Sequence, residues 1–524
     1  MRREPGLGEL RLALVAMAGM LASGASVILL VPVAHRRIDF TLQAVMLALS
    51  FARTARGADL RDRSIGLALL PAIAMTIAAV HALAFRHPII DDAFLVMIVS
   101  VSIWIRRFGP RASGIGISAV LPVVAILVVR TAASSPGDAY ALWMGLAALL
   151  SVLWVFVLQW AARSIGFIAS TPSPKRVSED AQTAQRPGTA ATPRMLSSTR
   201  MALQMGAALF AAGVIGRLVF PTHGEWAMIT AFIVCSGARG RGDVVYKAAL
   251  RIVGAVIGTA AGTWLAWVFG PRNAWAIVAI FGVLTVATWL RSRNYAYWAG
   301  GFTAALALLY GLQGETSPAL LMVRIEAIMI GALLGVMASS LLFPIRTADL
   351  ARRRIANALA ALADFIGSKE FDPDVLAQRR TQFEDAIDQI DEIAPPLEAH
   401  RRLSRYIQSR PHIADAIDAV RQCREPARAI VRETAAGDVA TEPEIARLKA
   451  AVLANINAVR RAIGRRPGLP CRPLPVLETE APGLNLDEGR APTEPEMNRA
   501  IREIDAAVAR LARVFVPDAR EGEG

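Results

Sequence analysis

The sequence predicts an all-α polytopic membrane protein that ends in a helical soluble domain. Three observations carry this. Long apolar runs recur through the first two thirds of the chain, arginines cluster in alternate connections between them, and the pattern turns amphipathic after Pro344. The chain of 524 residues is 54% hydrophobic and 19% charged, and its mean hydropathy is +0.42. A soluble chain carries about a quarter charged residues, and the deficit here lies in the first two thirds.

Runs such as LALVAMAGMLASGASVILLVPVA (12–34) and AVLPVVAILVV (119–129) are too apolar for loops. They suit helices in a hydrocarbon layer about 30 Å thick. The first run has a basic flank (Arg2, Arg3, Arg11), but it exceeds a signal-peptide core and similar segments follow it, so it reads as a span. The candidate spans are 11–33, 39–53, 64–85, 91–106, 112–131 and 139–162, then 201–219, 224–238, 248–269, 273–290, 293–311 and 321–345. Those at 39–53 and 91–106 are short for a full crossing.

Basic residues favour the cytoplasmic side. One set of connections holds Arg53, Arg56, Arg61 and Arg63, then Arg106, Arg107 and Arg111, then Arg239, Arg241, Lys247 and Arg251, then Arg291 and Arg293. The opposite set is poorer (Arg36, Arg37, Arg86, Arg130, Arg217, Arg272). Both termini are therefore expected in the cytoplasm. The net charge of +14 is explained by these arginines rather than by nucleic-acid binding.

The halves resemble one another. Pro32, His35 and Asp39 precede the second span, and Pro221, His223, Glu225 and Trp226 precede the eighth. ARTARGADLRDRSIG (52–66) parallels GARGRGDVVYKAALRIVG (237–254), each with an acid (Asp59, Asp243) and an Arg three residues before a Gly (Arg63–Gly66, Arg251–Gly254). Six spans per half predict two parallel six-helix repeats related by an axis along the membrane normal. The expected domains are a first transmembrane repeat (1–170), a cytoplasmic linker rich in Pro, Ser and Thr (171–200), a second repeat (201–345) and a cytoplasmic helical domain (346–524).

Several residues are candidates for substrate binding or gating. Arg63 and Arg251 suit attraction of an anion, and equally suit snorkelling anchors. Arg324 and Glu326 stand near the start of the last span, two residues apart, so they require separate partners. Asp59 and Asp243 lie beside arginines and suit loop salt bridges as well as a site. Trp226 and Tyr295 fit either an interfacial belt or a route for an aromatic compound. Asp39, Glu225, His35 and His223 are the proton-coupling candidates, against the plainer reading of solvated side chains. Asp91 and Asp92 open the fourth span and suit a cap. Gly254, Gly258 and Gly262, with Gly331 and Gly335, read as packing positions.

Cys235, Cys423 and Cys471 have neither disulfide-framework nor metal-like spacing, and His400 and His412 form no evident metal pair. No HExxH, GxSxG, Walker A or dinucleotide motif is visible, so neither an enzyme nor a cofactor is expected. In the C-terminal region, 348–368, 412–437, 443–466 and 494–515 have helical periods, with Ile501, Ile504, Val508 and Leu511 on one stripe. The Pro- and Gly-rich segment 467–493 reads as a connection.

Residues 201–345 resemble the fusaric acid resistance-like membrane transporter family, which includes bacterial aromatic carboxylic acid exporters. The resemblance rests on His223–Trp226, the loop around Gly242 and Asp243, Arg251 with Gly254, Gly258 and Gly262, Asn294–Tyr295, and Arg324, Glu326, Gly331 and Gly335. Residues 11–165 fit as a degenerate copy. The short central linker departs from relatives with large soluble regions in both halves. The resemblance implies proton-driven export of aromatic or other organic acids across a bacterial inner membrane. A passive organic-anion channel and a membrane assembly protein are the alternatives. The expected partners are membrane lipids, a small organic anion, a second copy in a dimer and an accessory export protein.

Overall fold

A computed structural model describes residues 7–31, 37–54, 60–84, 86–129, 139–168, 197–221, 223–312, 314, 318–368, 373–404, 411–436, 443–464 and 496–515. Most of the linker, the segment 467–493, Cys471, His35 and Asp59 lie outside them, as do the side chains of Asp39 and Arg63. The described residues form helices in two compact units.

The first unit, Met1–Ala238 with Val244–Pro344, is built from α1 (Leu7–Leu30), α2 (Arg37–Thr54), α3 (Leu60–Ala84), α4 (Pro88–Trp104), α5 (Pro110–Val129) and α6 (Tyr140–Ser164). It continues with α7 (Ser197–Val219), α8 (Glu225–Cys235), α9 (Arg241–Phe269), α10 (Ala274–Leu290), α11 (Tyr295–Leu312) and α12 (Pro318–Leu341). A helix underlies each expected span, but the expected two repeats of six spans need correction. Among the described residues, six helices have the length and composition to cross a membrane: Leu7–Leu30, Pro88–Phe108, Tyr140–Ser164, Ser198–Val219, Arg241–Phe269 and Leu321–Leu341. Among the described residues, the apolar stretches Phe40–Ala52, Leu69–Ala84, Ala112–Leu127, Glu225–Cys235 and Ala274–Leu290 are shorter. The clearest is α8, whose 11 residues rise only about 16 Å, half of a hydrocarbon layer. It ends at Ser236 in an extended conformation, followed by Gly237 with φ 64°. By contrast, the short candidate at 91–106 gains a further turn at Ile105–Phe108 and joins the six.

The packing order recurs. Helices α1, α2 and α6 pack against one another, as do α7, α8 and α12. Between the halves, α4 packs on α7 and α10 packs on α1. Each of these contacts joins the fourth helix of one half to the first helix of the other. Lipid offers little hydrophobic drive between helices, so such contacts depend on close packing and polar bonds. Ser151 of α6 donates to the Ala44 carbonyl of α2 at 2.9 Å, and Gln159 donates to Ala52 O at 3.2 Å.

The second unit, Ile345–Gly524 with Arg239–Asp243, contains α13 (Thr347–Ile366), α14 (Pro373–Asp391), α15 (Ala394–Ser404), α16 (Ile413–Gln422), α17 (Arg424–Ala436), α18 (Pro443–Ile463) and α19 (Glu496–Phe515). The stripe read on α19 is its buried face: Ile501, Ile504, Val508 and Leu511 join Leu359, Phe383, Ile417 and Ile456 in one core. Charges bind the outside. Arg421 pairs with Asp391 and Glu398, Arg424 with Asp388, and Arg428 with Glu384. Burial pulls the Glu384 carboxyl upward, but the Arg428 hydrogen bond and charge outweigh it and leave it below the ordinary value. The Cys423 thiol, enclosed in the core, is pushed up to about 12.

His400 and His412 do meet, with Nδ1 and Nε2 3.0 Å apart. His412 also caps α16, its Nδ1 accepting from the Ala414 amide at 3.1 Å. Burial, and then the charge of His400, hold the His412 value below that of a free histidine, against the pull of Asp415. Folding therefore favours neutral His412. Its contribution is complete above the unfolded value of about 6.5 and is lost as pH falls through that value toward the folded one. Thermal unfolding of this unit, followed by circular dichroism, should shift to lower temperature between about pH 7 and about pH 5. His412→Asn, which retains a capping side chain, should flatten that dependence.

Candidate functional site

Two seams of small residues set the geometry of the second half. On α9, Gly254, Gly258 and Gly262 face α11. A Cβ at Gly254 would meet the Ala296 carbonyl at 2.7 Å, one at Gly262 would meet the Ala304 Cα at 2.7 Å, and one at Gly258 would strike the Gly300 backbone. On α12, a Cβ at Gly331 would strike the Ala227 backbone of α8, and one at Gly335 would stand 3.1 Å from Cys235 Sγ. At Gly254, Gly258, Gly262 and Gly331 the facing backbone leaves no room for a side chain, so glycine is required there.

These seams aim two arginines inward. Arg251 lies seven and eleven residues before Gly258 and Gly262, and Arg324 bears the same relation to Gly331 and Gly335. On an α-helix those offsets share a face. Arg251 and Arg324 are accordingly only 4% and 5% exposed. Both line a small recess of about 30 Å³, with Trp226 and Thr230 from α8 and Phe302 and Tyr310 from α11.

Arg251 Nη1 reaches Thr303 Oγ1 and the Ala299 carbonyl, each at 3.4 Å. Its Nε is buried without a hydrogen-bond partner among the described residues, as is Thr230 Oγ1. The Arg324 guanidinium lies 5.8 Å from the Trp226 ring centroid, within cation–π range. Trp226 meets Tyr310 edge-on at 6.0 Å and packs on His223 at 4.5 Å. The arginines sense each other's charge, and among the described residues neither forms an ion pair with a carboxylate. Two cations without an ion pair among the described residues, in a low-dielectric recess, favour an anion. The aromatic walls supply an apolar contact surface beside them.

The other sequence candidates lie elsewhere. Tyr295 is half-buried near Arg251 but does not line the recess. Glu326 is exposed on the opposite face of α12. Asp243 belongs to the second unit, where its Oδ2 accepts from the Arg239 amide at 3.2 Å. His223 packs on Trp226 and Glu225 precedes it on α8, but neither lines the recess. Sequence reading missed Thr230, Phe302 and Tyr310, which look like ordinary span residues. The shared spacing of an Arg seven and eleven residues before two glycines was the available signal.

The capping role read for Asp91 and Asp92 is also corrected. The N-cap of α4 is His87, with no side-chain cap. Asp91 instead bonds His81 of α3, Nδ1 to Oδ1, at 2.8 Å. Asp92 pairs with Arg217 of α7.

Residues 207–338 match the family model described as Fusaric acid resistance protein-like. This stretch is a fusaric acid resistance protein-like domain. It contains both glycine seams and every residue named above as lining the recess. It lies within the segment whose sequence suggested the resemblance. No curated protein matches the chain. The domain identity and the multi-pass helical bundle support a general secondary-transport role rather than an enzymatic one. Among the described residues, no group of three or more His, Cys, Asp or Glu is placed to hold a metal ion.

The seam makes a sharp stability prediction. Gly258→Leu should force α9 and α11 apart and lower the thermal midpoint of the purified chain in detergent, at a cost of about 1–3 kcal/mol or more. Gly282→Ala on α10, where a Cβ meets nothing within 4 Å, should leave the midpoint within about a degree of the parent or raise it slightly, since alanine favours helix.

Proposed function

We propose that the chain is a secondary transporter that exports aromatic or other organic acids across a bacterial inner membrane, driven by the proton gradient. The carrying observation is the pair of buried arginines, Arg251 and Arg324, set among Trp226, Phe302 and Tyr310 with no ion pair to a carboxylate among the described residues. A carboxylate would accept from the guanidinium groups and Thr230, while its aromatic body would lie on the ring walls. The vacant donor at Arg251 Nε supports that direction of binding.

In this reading Arg251, Arg324 and Trp226 bind the anion. Tyr295 acts behind Arg251, and Glu225 and His223 adjoin Trp226. Arg63 and Asp59 are assigned matching roles in the first half, where Asp39 and His35 hold the positions equivalent to Glu225 and His223. Asp243 serves in a connecting loop and Glu326 faces a lipid or protein neighbour. Both termini are assigned to the cytoplasm, with the bundle working as a dimer and handing its cargo to an accessory export protein. The recurring packing order supports a duplicated arrangement in which the halves move against one another.

Flux in proteoliposomes tests this reading. Phthalate is a suitable probe, because its second carboxyl keeps it charged and slow to cross lipid unaided. An imposed pH gradient should drive phthalate across the membrane. Arg251→Gln and Arg324→Gln should each weaken its binding by about ten- to a hundredfold, the effect of losing a charge-assisted hydrogen bond of about 1.5–3 kcal/mol. Flux that ignores the pH gradient, or survives both substitutions, would sink the proposal; single-channel currents would then favour the channel reading.

A further inference from the structure

The recess that Arg251 and Arg324 share sets a size limit on its occupant. It measures about 30 Å³. One water needs about 10–15 Å³ of such space, whereas a cavity of about 150 Å³ takes a benzene ring. In this conformation the recess therefore admits one ion little larger than a water molecule and excludes an aromatic body. The ring of a cargo molecule fits only once the helices that line the recess have moved apart.

The chemistry of the lining makes that small occupant an anion. Arg251 and Arg324 are both buried and feel each other's charge. No acid is among the residues that line the recess. Like charges repel strongly where water is scarce, and one anion beside them offsets much of that repulsion. Two further donors stand ready. Arg251 Nε and Thr230 Oγ1 are buried without a hydrogen-bond partner among the described residues, and Thr230 is only 1% exposed. The hydroxyl hydrogen of a threonine rotates to suit its acceptor. A monatomic anion accepts from every side, so it can satisfy both donors and both guanidinium groups together.

The walls select among anions. Ile229, Leu306, Ile328 and Phe302 complete the lining and return nothing for lost hydration. A strongly hydrated ion such as fluoride or sulfate is therefore disfavoured, whereas chloride and bromide surrender water more readily. Other arginines of this unit differ in setting. Arg217 is paired with Asp92, and Arg107 is exposed, with its guanidinium over the Trp104 ring.

We propose that the recess is a halide site, in which one chloride or bromide ion is held by Arg251, Arg324 and Thr230 while cargo is absent. The halide offsets the repulsion between the arginines of α9 and α12. An arriving monocarboxylate takes over the same donors and, being larger, widens the recess as the halide leaves. One monoanion replaces another, so the charge of the site does not change and no bond is made or broken. This displacement step rests on the proposed transport function; the halide site itself does not.

The test measures binding of radiolabelled chloride to the full chain in detergent, in zwitterionic buffer held at constant ionic strength with sodium sulfate. The parent should bind a single chloride saturably, displaced by bromide but not by fluoride. Arg251→Gln and Arg324→Gln should each weaken binding by about ten- to a hundredfold, and Thr230→Val by about three- to tenfold. Arg107→Gln, outside the recess, should bind as the parent does. A parent without saturable chloride binding would overturn the proposal before any variant is made. Binding at parental strength in both arginine variants would overturn it too. Where an arginine variant fails to fold, Thr230→Val decides, and parental affinity there counts against the site. Phthalate should displace the bound chloride. If chloride binds as described but phthalate neither displaces it nor is carried, the cargo reading fails and the halide site stands. If phthalate flux depends on both arginines while chloride does not bind, the transport reading stands and the halide site falls.

Discussion

The arrangement of the second half depends on how closely four helices approach. In lipid the usual hydrophobic drive between helices is missing, and the attraction comes from packing and polar bonds at short range. The contacts of α9 with α11 and of α8 with α12 are made at glycines whose absent side chains let backbone meet backbone. Arg251 and Arg324 stand on those seams, one or two turns from the closest approach. The position that makes the seam tight also turns each guanidinium away from lipid and toward the recess. A looser seam would let the long side chains snorkel to water. The same contact that holds the helices therefore enforces the burial of charge.

The helices were legible because apolar composition and charged connections are properties of each segment alone. The number of crossings was less legible. Whether α8 spans is decided by where its hydrogen-bonding run stops, and Ser236 and Gly237 stop it after three turns although the apolar run suggests a longer segment. The parts of the recess were legible in proportion to their rarity. An arginine or tryptophan in an apolar run is conspicuous, whereas Thr230, Phe302 and Tyr310 are ordinary span residues that become important only through the faces they share. Glu326 was conspicuous too, but two residues from Arg324 on a helix points it the opposite way.

Pairs across a turn were the least legible. His81 and Asp91 are ten residues apart, and their meeting depends on α3 and α4 folding back at Arg86–Pro88. Read singly, Asp91 resembled a cap, because an acid in a first helical turn usually interacts with the helix dipole. His400 and His412 present the same difficulty in the second unit. The α19 stripe, by contrast, needed only the period of one helix. The ion pairs of α17 with α14 could be anticipated in kind but not in register, because the partner acids recur three and four residues apart along α14.

The charges also constrain how a proton and an anion could be linked. An organic anion leaving a cell moves down the membrane potential, gaining about 2.3 kcal/mol per charge for each 100 mV. A proton gradient adds a useful drive only if proton and anion occupy the protein alternately. Direct electrostatics favours the opposite: a proton bound near the anion makes the surroundings more positive and helps hold it. Alternation therefore requires a change of shape that outweighs this attraction. Helix α4 is held from both halves, because Asp91 bonds His81 of α3 while Asp92 and the Pro88 carbonyl bond Arg217 of α7.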